Sequence, residues 1–166
     1  MKALFIGRFQ PFHKGHLEII KNTSKKFDEI LIGIGSSQYK NVSENPFSDD
    51  ERKKMIKNTL NSIGIKNYKI ILIPDIHNPP KWVEHVLSIV SDFDVVITNN
   101  SFTKELFLEK GYHVEQTALY NKEKFSGANV RQKLISSNNW EELVPPEVEK
   151  IIKKINGISR IKQIKK

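Results

Sequence analysis

Ala3-Leu4-Phe5-Ile6-Gly7-Arg8-Phe9-Gln10-Pro11-Phe12-His13-Lys14-Gly15-His16 decides how this chain is read: an apolar run ends in glycine, and a basic loop then opens a helical pattern. A short continuous apolar run that hands over to spacing of period 3.6 is a strand followed by a helix. At such a junction the first backbone N–H groups of the helix point outward unpaired, and its dipole favours negative charge. Arg8, His13, Lys14 and His16 add basic side chains within nine positions. The combination reads as a grip for a triphosphate, with Gly15 letting the backbone approach it closely.

Outward from this stretch the chain keeps alternating apolar runs with helical periodicities. Candidate strands are Lys2 to Gly7, Glu29 to Gly35, Lys69 to Asp75, Asp94 to Thr98 and Tyr112 to Thr117. Leu17, Ile20 and Phe27 mark a first helix, Met55, Ile56, Leu60 and Ile63 a second, and Val83, Val86, Leu87 and Val90 a third. Ser48-Asp49-Asp50-Glu51 fits a capping box at the start of the second helix. Pro79-Pro80 suits the first turn of the third, where a missing N–H costs little. Gly64, Gly111 and Gly157 are placed to close helices. The alternation predicts an α/β domain, doubly wound and Rossmann-like, with a mainly parallel sheet of about five strands and helices on both faces. In such sheets ligands sit beyond the carboxyl ends of the strands, where the first loop and the Ser36 to Phe47 loop should open.

The bulk numbers narrow the partners. At 166 residues the chain fits one domain spanning 1–166, with a helical C-terminal part over about 126–157 and a basic tail over 158–166. It has no cysteine, which excludes disulfides, thiolate catalysis and sulfur-built zinc sites. The opening apolar run breaks at Arg8 without a small-residue cleavage site, so it reads as a strand rather than a secretory signal. No stretch reaches the roughly 20 apolar residues of a membrane span. The cytoplasm is the expected location, with no membrane partner. Net charge +8, from 27 basic and 19 acidic residues, suggests an anionic partner. The tail from Arg160 to Lys166 lacks interleaved aromatics, so it reads as a solvated or subunit-contacting end and nucleic acid is not the expected ligand.

A second cluster, Phe125-Ser126-Gly127-Ala128-Asn129-Val130-Arg131, precedes the pattern Val130, Leu134, Ile135. Ser126 is placed to cap that helix, with Arg131 about one turn in. Read alone, this is an N-cap plus a surface arginine. Read beside the first motif, it offers further donors to the same phosphates. The pair His13 and His16 would need a third ligand to hold a metal, and His77, His85 and His113 are scattered.

His13-Lys14-Gly15-His16 after an apolar strand resembles the His-x-Gly-His signature of the nucleotidylyltransferase superfamily. The whole string Gly7 to His16 is similar to the archaeal-type adenylyltransferases that make NAD from nicotinamide mononucleotide. Gly33-Ile34-Gly35-Ser36, Glu44-Asn45-Pro46-Phe47, Glu51-Arg52, Trp82-Val83, Ser126-Gly127 with Arg131, and Trp140-Glu141 fall in matching order. The resemblance implies that His13, His16, Arg8 and Arg131 are the catalytic set, and that Gly7, Phe9, Gly15, Ser126 and Gly127 line the ATP side. It places Ile76, Asn78 and Trp82 on the nicotinamide side, the indole stacking on the ring as a cation–π pair. It also implies a homo-oligomer and Mg²⁺ carried by the substrate phosphates rather than by a protein cage. Arg52 matches a family Glu-Arg pair, but an arginine on a helix surface is expected to be solvated or ion-paired. Three positions depart from the pattern: Ala128 replaces a hydroxyl residue, Glu44 replaces a basic one, and Pro79 stands where relatives have asparagine.

The implied reaction is adenylyl transfer from ATP to nicotinamide mononucleotide, giving NAD and pyrophosphate by in-line displacement. The alternatives are the same chemistry with flavin mononucleotide, phosphopantetheine or a cytidylyl acceptor, or a non-catalytic nucleotide- or nucleic-acid-binding module.

Overall fold

The computed structural model describes residues 1–117 and 121–165. Five strands, β1 (Lys2–Gly7), β2 (Glu29–Gly35), β3 (Tyr68–Ile73), β4 (Val95–Ile97) and β5 (His113–Glu115), form one sheet in the order β3-β2-β1-β4-β5. Every pairing is parallel. The chain builds outward from β1 through β2 to β3, then returns to the other side of β1 for β4 and β5. The winding therefore reverses at β1, and a ligand crevice is expected above the carboxyl ends of β1 and β4.

Seven α-helices connect and flank the strands: α1 (Lys14–Lys26), α2 (Asp49–Ser62), α3 (Pro79–Ile89), α4 (Ser101–Glu109), α5 (Gly127–Ser136), α6 (Pro146–Lys154) and α7 (Gly157–Lys165). Alternate strand residues feed two cores, since side chains along a strand point to opposite faces. Ala3, Phe5, Ile30, Ile32 and Ile34 pack with Ile20 of α1, Met55 and Leu60 of α2, Val130 and Leu134 of α5, and Val148 and Ile152 of α6. Leu4, Leu31 and Val96 face the other way, onto Val83 and Val86 of α3 and Phe107 of α4. The doubly wound expectation is met: β1 and β2 have the expected ends, and those of β3, β4 and β5 differ by one or two residues. Lys69 to Asp75 becomes Tyr68–Ile73, which leaves Asp75 in the loop beyond the strand.

The helix starts follow their local chemistry. Ser48 accepts from the Glu51 N–H at 3.1 Å while the Glu51 carboxylate accepts from the Ser48 N–H at 2.8 Å, the expected box. Pro79 and Pro80 occupy the first turn of α3. Gly64 and Gly111, at φ 79° and 83°, follow α2 and α4 as left-handed closing residues.

Two expectations are corrected. Gly157 does not close a helix; it opens α7, and the left-handed residue after α6 is Asn156 at φ 56°. The segment read as a solvated tail is helical through Lys165, with Lys166 outside the described residues. Its apolar residues at 158 and 161 are three apart, and Ile161 is buried in the core with Ile158 packed against it. Arg160 lies on the same helix and binds both Glu51 oxygens, at 2.6 and 2.8 Å.

Candidate active site

The first helix is capped by the motif itself. His13 Nδ1 accepts from the backbone N–H of Gly15 at 3.1 Å and of His16 at 3.3 Å, while the His13 N–H donates to His16 Nδ1 at 3.2 Å. This is a capping box in which two imidazoles take the places of the usual serine and glutamate. Because both Nδ1 atoms accept, each neutral ring must carry its proton on Nε2. The rings stack with centroids 3.6 Å apart. Burial, reinforced by the Arg131 charge, lowers His13 to about 4, and burial plus His13 holds His16 well below its usual value. Both are therefore neutral at physiological pH. Among the described residues no partner takes either Nε2–H, which leaves two fixed donors for an anion.

The arrangement is supported from beneath. Phe9, buried and left-handed at φ 53°, sits edge-on to His16 with centroids 4.7 Å apart, and Phe12 stacks on His16 at 5.7 Å. Phe9 thus props the imidazole rather than lining an open surface. A Cβ on Gly15 would lie 2.9 Å from the Cβ of Phe125, so only glycine lets the α1 start lie against the second cluster. A Cβ on Gly127 would lie 2.7 Å from Arg131 Nη1. Gly7 ends β1 directly beside the Phe9 ring.

Ser126 caps α5 as expected, accepting from the Asn129 N–H at 3.1 Å. Arg131 reaches back to the first motif and donates to the Gln10 carbonyl at 2.9 Å. Its pKa is lowered by burial and by Arg8, and the Arg131 charge in turn acts on His13. His13, His16 and Arg131 are therefore gathered at one strand-to-helix mouth. Arg8 stands at its edge, about half exposed, with Glu44 at 3.7 Å.

Arg52 corrects its expectation. It is neither solvated nor ion-paired but fully buried, and donates to six backbone carbonyls at 3.0–3.3 Å: those of Arg8, Gly35, Ser36, Ser37, Tyr39 and Ser48. Burial lowers its pKa to about 10, which leaves it charged at neutral pH. A signal was present in the sequence: Arg52, Met55, Ile56, Thr59 and Leu60 recur at i, i+3, i+4, i+7 and i+8, so Arg52 lies on the buried stripe of α2. Gln10 was also missed. Its amide clamps the Phe47 backbone through two hydrogen bonds, 2.9 and 3.0 Å, tying the β1–α1 loop to residues 36–47.

The other half of the site lies between the β3–α3 loop and α4. Asp75, His77, Asn78, Pro79, Trp82, Phe102, Thr103 and Leu106 line a cavity of about 440 Å³. Asn78 and Trp82 are thus brought together, whereas Ile76 is exposed and not part of this lining. Asn78 precedes α3 without capping it. Trp82 is half-buried and edge-on to Phe107 at 5.7 Å, so one side belongs to the core and the other to the cavity. The α4 wall carried no sequence signal. Among the described residues no cluster of three or more His, Asp or Glu could hold a metal ion, and no helix is long and apolar enough to cross a membrane.

Residues 4–133 match the cytidylyltransferase-like family. The nicotinamide-nucleotide adenylyltransferase of Methanococcus maripaludis is 49% identical over 164 residues, covering 99% of this chain and 95% of that protein. That of Picrophilus torridus is 43% identical over 164 residues, covering 99% and 97%. Among solved structures, a bifunctional NMN adenylyltransferase/ADP ribose pyrophosphatase from Francisella tularensis, complexed with AMP and a manganese ion, superimposes with a TM-score of 0.76 at 25% identity. The match covers 98% of this chain and 52% of that one. On sequence, sheet and architecture alike, this chain belongs to the cytidylyltransferase-like family and, within it, to the nicotinamide-nucleotide adenylyltransferases.

Proposed function

We propose that the chain transfers the adenylyl group of ATP to nicotinamide mononucleotide, forming NAD and pyrophosphate. The acceptor's phosphate oxygen attacks the α-phosphorus of ATP, the bond to the bridging oxygen of the β-phosphate breaks, and pyrophosphate leaves. That oxygen is already ionised at neutral pH, so no protein base is needed. The protein's task is to hold two polyanions in line and to meet charge growing on the α-phosphate and the leaving group. His13 and His16, both neutral with Nε2–H pointing away from the cap, supply donors that need no reorganisation. Arg131 supplies positive charge from α5, and Arg8 adds it from the rim. Gly15, whose own N–H is taken by the cap, allows close approach to α1, and Ser126 and Gly127 bring backbone N–H groups of the α5 start to the same phosphates. Trp82 and Asn78 take the nicotinamide end.

The observation that carries this reading is the convergence of two Nε2–H donors and a guanidinium at one β–α mouth. Mg²⁺ fits as a passenger on the triphosphate, since the donor set is imidazole and guanidinium rather than carboxylate. Bound there, it would neutralise phosphate charge. A cytoplasmic location and a homo-oligomer complete the proposal, the latter checked by light scattering. Pyrophosphate release with ATP and each candidate acceptor in turn is the direct test. Turnover with nicotinamide mononucleotide at least tenfold above flavin mononucleotide and phosphopantetheine is expected; equal or absent turnover would overturn the reading.

A further inference from the structure

Asp75 stands just past the end of β3, held on three sides. The Gln38 side chain donates to its carbonyl at 2.8 Å and accepts from its N–H at 2.9 Å. Its carboxylate accepts from the His77 N–H at 2.8 Å. The His77 ring has Nδ1 3.8 Å from the other Asp75 oxygen, and its Nε2 pairs with the Tyr39 hydroxyl. His77 adopts φ 52°, a conformation a non-glycine residue keeps only when its surroundings fix it. Residues 36–47 are thus strapped to the β3–α3 loop at two points, and the strap sets the place of one carboxylate.

Asp75 lines the 440 Å³ cavity together with Asn78 and Trp82, and neither lysine nor arginine is among the lining residues. Asp75 is only about one third exposed. A planar cationic ring is attracted to such a wall, and a carboxamide can donate to it. A ring that bears a carboxylate in place of the carboxamide meets like charge there, with no lysine or arginine among the lining residues to offset it.

We infer that Asp75 makes the acceptor cavity select a pyridinium carboxamide over the corresponding carboxylate, and that Gln38, Tyr39 and His77 position it for this. The inference rests on the acceptor assignment made above. It assigns Asp75 a specificity role; the strap residues act through it.

The test compares kcat/KM for nicotinamide mononucleotide and its deamidated analogue. The wild type favours the amide, and Asp75→Asn, which keeps size and a hydrogen-bond acceptor, lowers the ratio about tenfold, the effect of one charge roughly 6 Å away at an effective dielectric of about 40, between the surface and bulk-water values. The change falls on the two acceptor KM values, with the KM for ATP held. Asp75→Glu restores most of the ratio. Tyr39→Phe, which loosens the strap without touching the charge, lowers the ratio about two- to threefold and serves as the reporter should Asp75→Asn not fold. An unchanged ratio in either folded variant would overturn the inference. If the wild type turns over neither acceptor, the proposed function fails instead. Quenching of Trp82 fluorescence by each nucleotide then reads the same preference as binding: tighter amide binding supports the inference, and equal binding defeats it.

Discussion

The two ends of the site are built on opposite plans. At the proposed phosphate end the groups are fixed from behind: His13 and His16 together cap the start of α1, Phe9 and Phe12 pack against the His16 ring, and Arg52 ties the Arg8 carbonyl to five others from residues 35–48. At the proposed acceptor end the groups come from the β3–α3 loop, α3 and α4 around an open cavity, and loop 36–47 joins them only through the side chains of Gln38 and Tyr39. Charge that appears only in a transition state is best met by dipoles that do not move. Binding a flat ring needs shape and a few contacts, and tolerates looser construction. The comparison predicts that damage at the first end costs stability and turnover, and at the second only affinity.

The most severe break is Arg52→Ala, which strands six carbonyls in a buried place. We expect a loss of about 3–5 kcal/mol, read as a lower midpoint in urea, with weakened nucleotide binding in the fraction that folds. A midpoint within experimental error of the wild type would mean that water can replace the guanidinium. Next is His16→Ala: turnover drops about 10²–10³-fold, as for the loss of one preorganised donor, with little change in the KM for the acceptor. A shift confined to the acceptor KM would contradict the division of labour.

Third comes pH. Folding lowers the pKa of His13 from 6.5 to about 4, so between these values the unfolded chain binds more protons. The stability that depends on the neutral ring is complete above about pH 6.5 and is lost as pH falls through about 4. Unfolding in urea at pH 7 and pH 5 should show a decline to which His13 contributes about 1–2 kcal/mol and the likewise depressed His16 adds its own share, so that His13→Asn, still able to cap, removes the His13 part only. An equal decline in that variant would place the sensitivity elsewhere. The smallest effect is at the acceptor end: Trp82→Leu, which keeps apolar contact with Phe107, raises the acceptor KM about tenfold at nearly constant ATP KM.

The convergence of basic groups at the β1–α1 mouth was legible in the sequence because its information is local. An apolar strand, a basic loop and a helix start are contiguous in Gly7 to His16, and Ser126 to Arg131 repeats the logic over six residues. The parallel sheet was legible from the alternation of patterns, but its strand order was not, because order is a matter of which edges meet. Arg52 was misread since charge was weighed before phase: its place on the buried stripe of α2 outranks its formal charge once six carbonyls are supplied by other segments. The acceptor cavity was least legible. Its walls come from the loop before α3 and from α4, some 25 residues apart, with Phe102, Thr103 and Leu106 indistinguishable in the sequence from ordinary helix residues. α7 was missed as a packed helix because Ile158 and Ile161 lie within a run of lysines.

Tyr39 belongs to both ends at once: its carbonyl is held by Arg52, and its hydroxyl meets His77 above the acceptor cavity. One residue of loop 36–47 therefore touches supports of both proposed ends of the site. By linkage, any factor by which bound ATP tightens or weakens the hold on the acceptor must return unchanged as the acceptor's influence on ATP. That reciprocity concerns binding alone: it fixes how strongly the two nucleotides are coupled, not the order in which they arrive.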